Sequence, residues 1–264
     1  MIAKRIKYYF KIWMLMAKNA FLGWSVNRNV FLVFLTGKII RYIFSFSFLY
    51  FLVKGSNGFL GYSQNQVLFV TATYLFIDTV AQFFFRSVYS FRPLVVSGDF
   101  DLILAKPVNA LFRVLLGGPD PIDFITLPPL IFVLIWIGSS LHPDILNILY
   151  YLLLLANGLL IAAAFHIAVL SIGVITLEVD YVINVYRDLS SMGKFPTDIY
   201  KQPLRGILIF LIPIGLMVTV PVKALSGTLN PLGFFATLAV GTLLLILSLK
   251  FWNFALTKYT SASS

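Results

Sequence analysis

Asp78 stands inside an apolar stretch, residues 66–86, with Gln82 four residues on, so both fall on one face of a helix. A carboxylate at membrane depth is costly and faces a bundle interior. Two chemistries fit it: a site for a cationic substrate, or a structural ion pair with Lys38 or Arg41 of the preceding apolar stretch. The ion pair is the plainer use, because antiparallel neighbours would let Arg41 reach toward Asp78. Asn157 and His166 lie among small residues, Ala162 to Ala164, which suits hydrogen bonds between helices. His142 and His166 are far apart and suggest no ligand pair. The chain has no cysteine, so disulfides, thiol chemistry and cysteine-based metal sites are excluded. No GxxxxGKS/T phosphate loop is present: Gly37-Lys38 has Leu32 where the upstream Gly would stand. HExxH and GxSxG are absent too. No catalytic residue is expected here.

The elements that position these groups must be membrane helices. Between Asp144 and Glu178, thirty-three residues run without a charged side chain. As a helix that run would extend about 50 Å, whereas a bilayer core needs about 20 residues. Hydrophobic residues make up 59% of the chain and charged residues 11%, against about 25% charged in soluble domains. The net charge of +10 would suit nucleic acid, but the basic residues gather at the edges of the apolar runs, where topology signals belong. No nucleic-acid partner is expected. Residues 1–264 read as a single transmembrane domain, an all-α membrane protein with six spans at 31–53, 66–86, 124–141, 145–175, 206–222 and 231–256.

Lys and Arg set the orientation. With a cytoplasmic N-terminus, the inner segments hold six (1–29), four (86–122), four (178–205) and one (257–264), and the outer loops hold Lys54 and Lys223. That bias predicts that both termini are cytoplasmic and that 87–123 and 176–205 are inner loops. The fifth span is irregular. Residues 206–222 give about 26 Å of helix, short of a core of about 30 Å, and Pro213 and Pro221 interrupt it. A kinked span and a span ending in a re-entrant outer turn both fit. Irregular backbone at that depth needs protein or a cavity around it, which places Pro213 and Pro221, with Asp78, as candidates for the translocation path.

Two segments outside the spans carry a pattern. In residues 1–24, Lys4, Lys7, Lys11 and Lys18 share one helical face, and Ile2, Ile6, Tyr9, Trp13, Met16 and Ala20 share the opposite one. This is a helix lying in the membrane plane with lysines toward anionic lipid headgroups, as a topology anchor or as a surface that also meets a cytoplasmic partner. In residues 87–118, Ser97-Gly98-Asp99 signals a turn, Phe100, Leu102, Ile103 and Leu104 form an apolar block, Pro107 can open a second short helix and Gly117-Gly118 can end it. The segment reads either as a loop packed on its own bundle or as a coupling element that inserts into a partner.

The stretch SGDFDLILAKPVNALF, residues 97–112, resembles the segment after the second span in ABC-2 type permeases, the membrane subunits of ATP-binding-cassette exporters. FPTDIYKQPLRGILIFLIPIGLMVTVP, residues 195–221, and FWNFALTKYTSASS, residues 251–264, are similar to the same branch, and the likeness runs nearly end to end. The resemblance implies a six-span ABC-2 permease in the bacterial cytoplasmic membrane, paired with an identical or related second permease on two ATPase subunits. ATP and magnesium would sit on those ATPases, with no cofactor on this chain. It implies that 1–24 is the interface helix and that Gly98, Asp99, Phe100, Asp101, Leu102 and Pro107 couple the chain to the ATPase. It also implies short re-entrant helices at the outer end of the fifth span. The alternatives are a secondary transporter, disfavoured because no internal hydropathy repeat is evident, and a membrane scaffold without an ATPase.

Overall fold

A computed structural model describes residues 2–55 and 61–260. Met1, residues 56–60 and residues 261–264 lie outside the described residues. Among those described, the architecture is helical throughout. Helix α1 (Ile2–Val26) breaks at Asn27 and continues as α2 (Arg28–Lys54). Helix α3 (Gln64–Phe85) is the centre of the bundle, with Val67, Phe69, Val70, Ala72 and Leu75 fully covered. Its start is fixed by a capping box: the Ser63 hydroxyl accepts from Gln66 N–H, and the Gln66 side chain accepts from Ser63 N–H. Helix α7 (Pro121–Ser139) opens on Asp120, whose carboxylate accepts from Ile122 N–H at 2.9 Å, with Pro121 in the first turn where no donor is needed. Helices α8 (Ile145–Thr176) and α12 (Pro231–Thr257) complete the apolar set. Helices α2, α3, α7, α8 and α12 are each long and apolar enough to cross a membrane. The short helices α4 (Phe91–Val96), α5 (Asp99–Leu104) and α6 (Ala110–Leu115) follow α3.

Helices α8 and α12 run parallel. Tyr150 stacks on Phe234 near their starts, Asn157 Nδ2 donates to Thr237 O at 2.9 Å further in, and Phe165 and Ala168 lie against Leu247 and Phe251 beyond. Asn157 thus joins two helices, as its setting among small residues suggests. Close approach depends on Gly241, where a Cβ would land on the Asn157 amide. Two parallel spans require a crossing between them.

That crossing is not 206–222. It is α9 (Val179–Ser191), which the sequence reading assigned to an inner loop. Leu177 turns the chain at the end of α8 in the left-handed region, φ 64°. Val179 then packs against Gly173 and sits in one buried cluster with Phe91. Tyr186 stacks on Phe165 at 5.2 Å, halfway along α8, and Gly193 lies against Tyr74. Finally Thr71, in the opening turns of α3, donates to Lys194 O at 3.0 Å. The segment climbs antiparallel to α3 and α8 and delivers Lys194, Lys201 and Arg205 to the end that also holds Tyr62 and Lys223. Those basic residues therefore leave the inner tally. The opposite end keeps Lys4, Arg5, Lys7, Lys11, Lys18, Arg28, Arg86, Arg92, Lys106, Arg113 and Lys258 and remains the more basic one. Thirteen helical residues extend about 20 Å; Val179, Ile183 and Tyr186 are buried against the bundle, while Asp180, Arg187 and Asp188 lie on the exposed face of the same helix.

The fifth apolar stretch is instead a re-entrant hairpin. The chain bends by 72° between its arms, α10 (Leu204–Leu211) and α11 (Gly215–Leu225), across Ile212, Pro213 and Ile214. Pro213 lacks the amide that would continue the helix, and the preceding turn is wound wide, with Ile212 N–H donating to Ile207 O at 2.9 Å. The expected break at Pro213 is therefore present. Pro221 causes no break: it sits in the first turn of the regular helical end of α11, Val220–Leu225, after a wide-wound stretch Gly215–Thr219.

Candidate functional site

Residues 87–118 form a ledge at the end of the bundle that holds Phe85. Gly98, at φ 82°, makes the left-handed turn from α4 into α5, a conformation that disfavours a Cβ. The Ser97 hydroxyl donates to the Asp99 carboxylate at 2.8 Å and fixes the turn. Phe100 is fully buried, edge-on to Phe91 and to Tyr259 at 5.1 Å each. It is the peg that seats the ledge on its own bundle and does not face outward. Burial, together with the Asp101 carboxylate beside it, pushes the Tyr259 phenol up to about 12. Leu102 points away from the bundle at 62% exposure, with Val96 and Leu104 also exposed and Asp99 on the same surface. Pro107 is exposed in the turn before α6. It does not open that helix; Asn109 does, its side chain accepting from Phe112 N–H at 2.9 Å.

Helix α1 braces the ledge from the side. Tyr9 meets Phe112 edge-on at 4.8 Å, its hydroxyl accepts from Asn109 N–H at 3.3 Å, and Trp13 packs on Phe83 and Phe84. Met16 and Ala17 are buried, while Lys4, Lys7, Lys11 and Lys18 stay exposed. The amphipathic split read from the sequence is observed at Tyr9, Trp13, Met16 and Ala20; Ile6 is exposed, and the Ile2 side chain lies outside what is described.

Within the bundle the charges are paired. Arg41 reaches Asp78 at 3.3 Å, Lys38 pairs with the buried Asp123, and Arg86 reaches Asp120 at 3.5 Å. The three pairs tie α2 to α3, α2 to α7, and the end of α3 to the start of α7. Of the two partners expected for Asp78, it is Arg41 that it meets. Asp78 lines a small cavity of about 20 Å³, roughly the space of one water, together with Tyr74, Gln82, His166, Tyr186, Arg187 and the hairpin's Ile214. Gln82 donates to the Tyr89 hydroxyl at 2.7 Å and accepts from Arg86 at 3.3 Å. His166 does not hydrogen-bond between helices as expected. Its Nδ1 meets Ala162 O of its own helix at 2.8 Å, and its ring lies near Phe85 and Tyr186. The structure therefore brings Asp78 next to the hairpin bend at Pro213 and Ile214. Pro221 lies further along α11 and does not line the cavity.

A fourth polar group went unread in the sequence. Asp198, in the turn after α9, accepts from Arg205, Lys223 and Tyr62. These residues are scattered between positions 62 and 223, so no local spacing could reveal them. Burial alone would raise the Asp198 carboxyl, but the Lys223 and Tyr62 hydrogen bonds and the nearby cations outweigh it and hold the group below its ordinary 3.8. Burial and the same carboxylate push the Tyr62 phenol upward, so the shared proton stays on the phenol.

Among the described residues no three His, Asp or Glu side chains are grouped to hold a metal ion. A polytopic helical bundle with internal ion pairs, a re-entrant hairpin and an exposed ledge at one end defines a membrane transport component. The family model described as ABC-2 family transporter protein matches residues 39–263, and the chain belongs to that family. It is a membrane permease of an ABC transporter. The match begins inside α2 and leaves α1 outside it. No curated protein and no solved structure matches the chain.

Proposed function

We propose that this chain is the permease subunit of an exporter in the bacterial cytoplasmic membrane, with both termini inside. A separate ATP-binding-cassette ATPase, which holds ATP and magnesium, docks on the ledge around Gly98, Asp99, Asp101, Leu102 and Pro107, with Phe100 as its internal anchor. The observation that carries this reading is the ledge itself. An apolar edge of Val96, Leu102 and Leu104 faces outward while the peg beneath it is fully covered. A surface so seated can transmit a push from a partner to α3, α8 and α12 without deforming first. The exposed lysines of α1 support its lying on anionic headgroups. The exposed apolar face of α2, with Val33, Phe34, Phe44 and Phe51, supports pairing with a second permease. On this reading the Asp198 end is outside, and the hairpin closes the translocation path there.

The test is affinity purification of the full-length chain from its native membrane, followed by identification of co-purifying subunits. An ATP-binding-cassette ATPase should come down with the unaltered protein. The pair Val96→Asp and Leu102→Asp should cut its recovery about tenfold, since two charges in an apolar contact cost several kcal/mol. Full recovery of the ATPase with the double variant, or no ATPase with the unaltered chain, would count against docking on the ledge.

A further inference from the structure

The hairpin is asymmetric in what holds it. Arm α11 buries Gly215, Met217, Val218, Val222, Ala224 and Leu225 against the bundle. Arm α10 buries Leu208 and leaves Phe210 and Leu211 at 85% and 69% exposure. Apolar packing therefore fixes the second arm and leaves the first lightly seated. What pins the first arm is polar. Arg205, in its opening turn, donates to Asp198 Oδ1 at 2.8 Å. Asp198 Oδ2 accepts from Lys223, in the last turn of α11, at 2.6 Å, and from the Tyr62 hydroxyl, just before α3, at 2.5 Å. The neighbouring Thr197 N–H donates to Thr219 Oγ1 at 3.0 Å, which holds the carboxylate's own segment to α11. One carboxylate thus joins four segments: the chain before α3, the turn after α9, α10 and α11. Without its charge, Arg205 and Lys223 would be two cations approaching one site with no anion between them.

We propose that Asp198 is the positioning residue that clasps the re-entrant hairpin shut. Opening the path from outside requires Arg205 to leave Asp198 so that α10 can swing away while α11 stays packed. The proposal rests on the reading of the hairpin as the outer closure, and it adds the group that sets the closure and the arm that moves. Beyond the clasp, only Leu208 is fully buried on this arm, with Leu204 and Ile212 partly packed against the core, so losing a charge-assisted bond should be felt in how often α10 lifts.

The chain contains no cysteine, so a single introduced thiol reports cleanly. Leu208→Cys, placed in the full-length chain in native right-side-out vesicles, is labelled with a membrane-impermeant maleimide. We expect slow labelling with Asp198 intact and about tenfold faster labelling with Asp198→Asn, the size of one hydrogen bond to a charged group. Asp198→Glu, which keeps the charge, should return the rate most of the way. If Asp198→Asn fails to fold, Arg205→Gln removes only the bond to α10 and should accelerate labelling in the same direction. Equal rates for the parent and Asp198→Asn, or for the parent and Arg205→Gln, would overturn the clasp. The labelling rate requires neither ATP nor a partner. A failed clasp leaves the ATPase docking test standing, and a failed docking test leaves the rate comparison intact.

Discussion

Helices α8 and α12 and the α9–hairpin unit lie side by side, and they are held by opposite means. The first pair has 32 and 27 residues, nearly all apolar, and one buried hydrogen bond between them, from Asn157 to Thr237. The second unit has a 13-residue helix carrying Asp180, Arg187 and Asp188, then two arms with wide turns and a break at Pro213. Both are stable at depth for the same reason. Every backbone polar group needs a partner, whether within a regular helix or supplied by surrounding protein. The consequence differs. Contact area fixes α8 to α12 diffusely. In the second unit packing fixes α11 as well, whereas α10 and the turn before it are held largely by countable bonds: Thr197 to Thr219 and the three on Asp198. The part of the molecule with few, discrete bonds is the part that can switch.

The largest effect is expected where a charge on the rigid side loses its partner. Lys38→Met leaves Asp123, 2% exposed, as a lone buried carboxylate and should cost about 3–5 kcal/mol of stability. The double variant with Asp123→Leu should regain most of it, read from thermal unfolding in detergent. If Lys38→Met alone were neutral, the ion pairs would not be part of the frame.

A matched pair of variants then sharpens the contrast. Gly241→Val drives a side chain into Asn157 and should cost about 1–3 kcal/mol in folded yield. Thr219→Val orphans the Thr197 N–H, at a cost of about 1–3 kcal/mol, but that cost should fall on the hairpin alone. Hydrogen exchange should show faster exchange along 204–225 with α8 and α12 unchanged. Equal loosening of both regions would erase the distinction. The smallest effect is expected at the hinge between them. Leu177 holds φ 64°, a strain of roughly 1–2 kcal/mol for a side chain, so Leu177→Gly should be neutral or slightly stabilising in the same thermal assay. A clear loss would mean that the Leu177 side chain carries packing that outweighs its strain.

Much of this arrangement was legible in the sequence where one physical signal dominated. The uncharged run before Glu178 is α8, the lysine stripe of α1 is solvent-facing, Gly98 takes the left-handed turn, and Pro213 breaks its helix. The fifth crossing was misread because its charges were taken to mean a loop. Asp180, Arg187 and Asp188 are indeed exposed, but they share an amphipathic helix whose other face packs on α3 and α8. A helix with one face packed on protein and charges on the other does not carry the hydropathy of a lipid-facing span. Val179, Ile183 and Tyr186, spaced four and three apart, did carry the helical signal, and these are the three residues α9 buries. Phe100 was grouped with Leu102 because adjacent apolar residues look alike in sequence. On a short helix they fall on opposite sides, and one became the peg and the other the exposed edge. The Asp198 clasp is purely tertiary and left no local trace.

The central claim is that α9 crosses the bundle and the hairpin enters and leaves by the end that holds Tyr62. Its most direct test is sidedness by single-cysteine labelling in intact cells, with Lys201→Cys, Thr228→Cys and Leu102→Cys, all at exposed positions. Lys201→Cys and Thr228→Cys should label together with an external impermeant reagent, and Leu102→Cys should label only after permeabilisation. Lys201→Cys behaving like Leu102→Cys would return 176–205 to the inside and contradict the account.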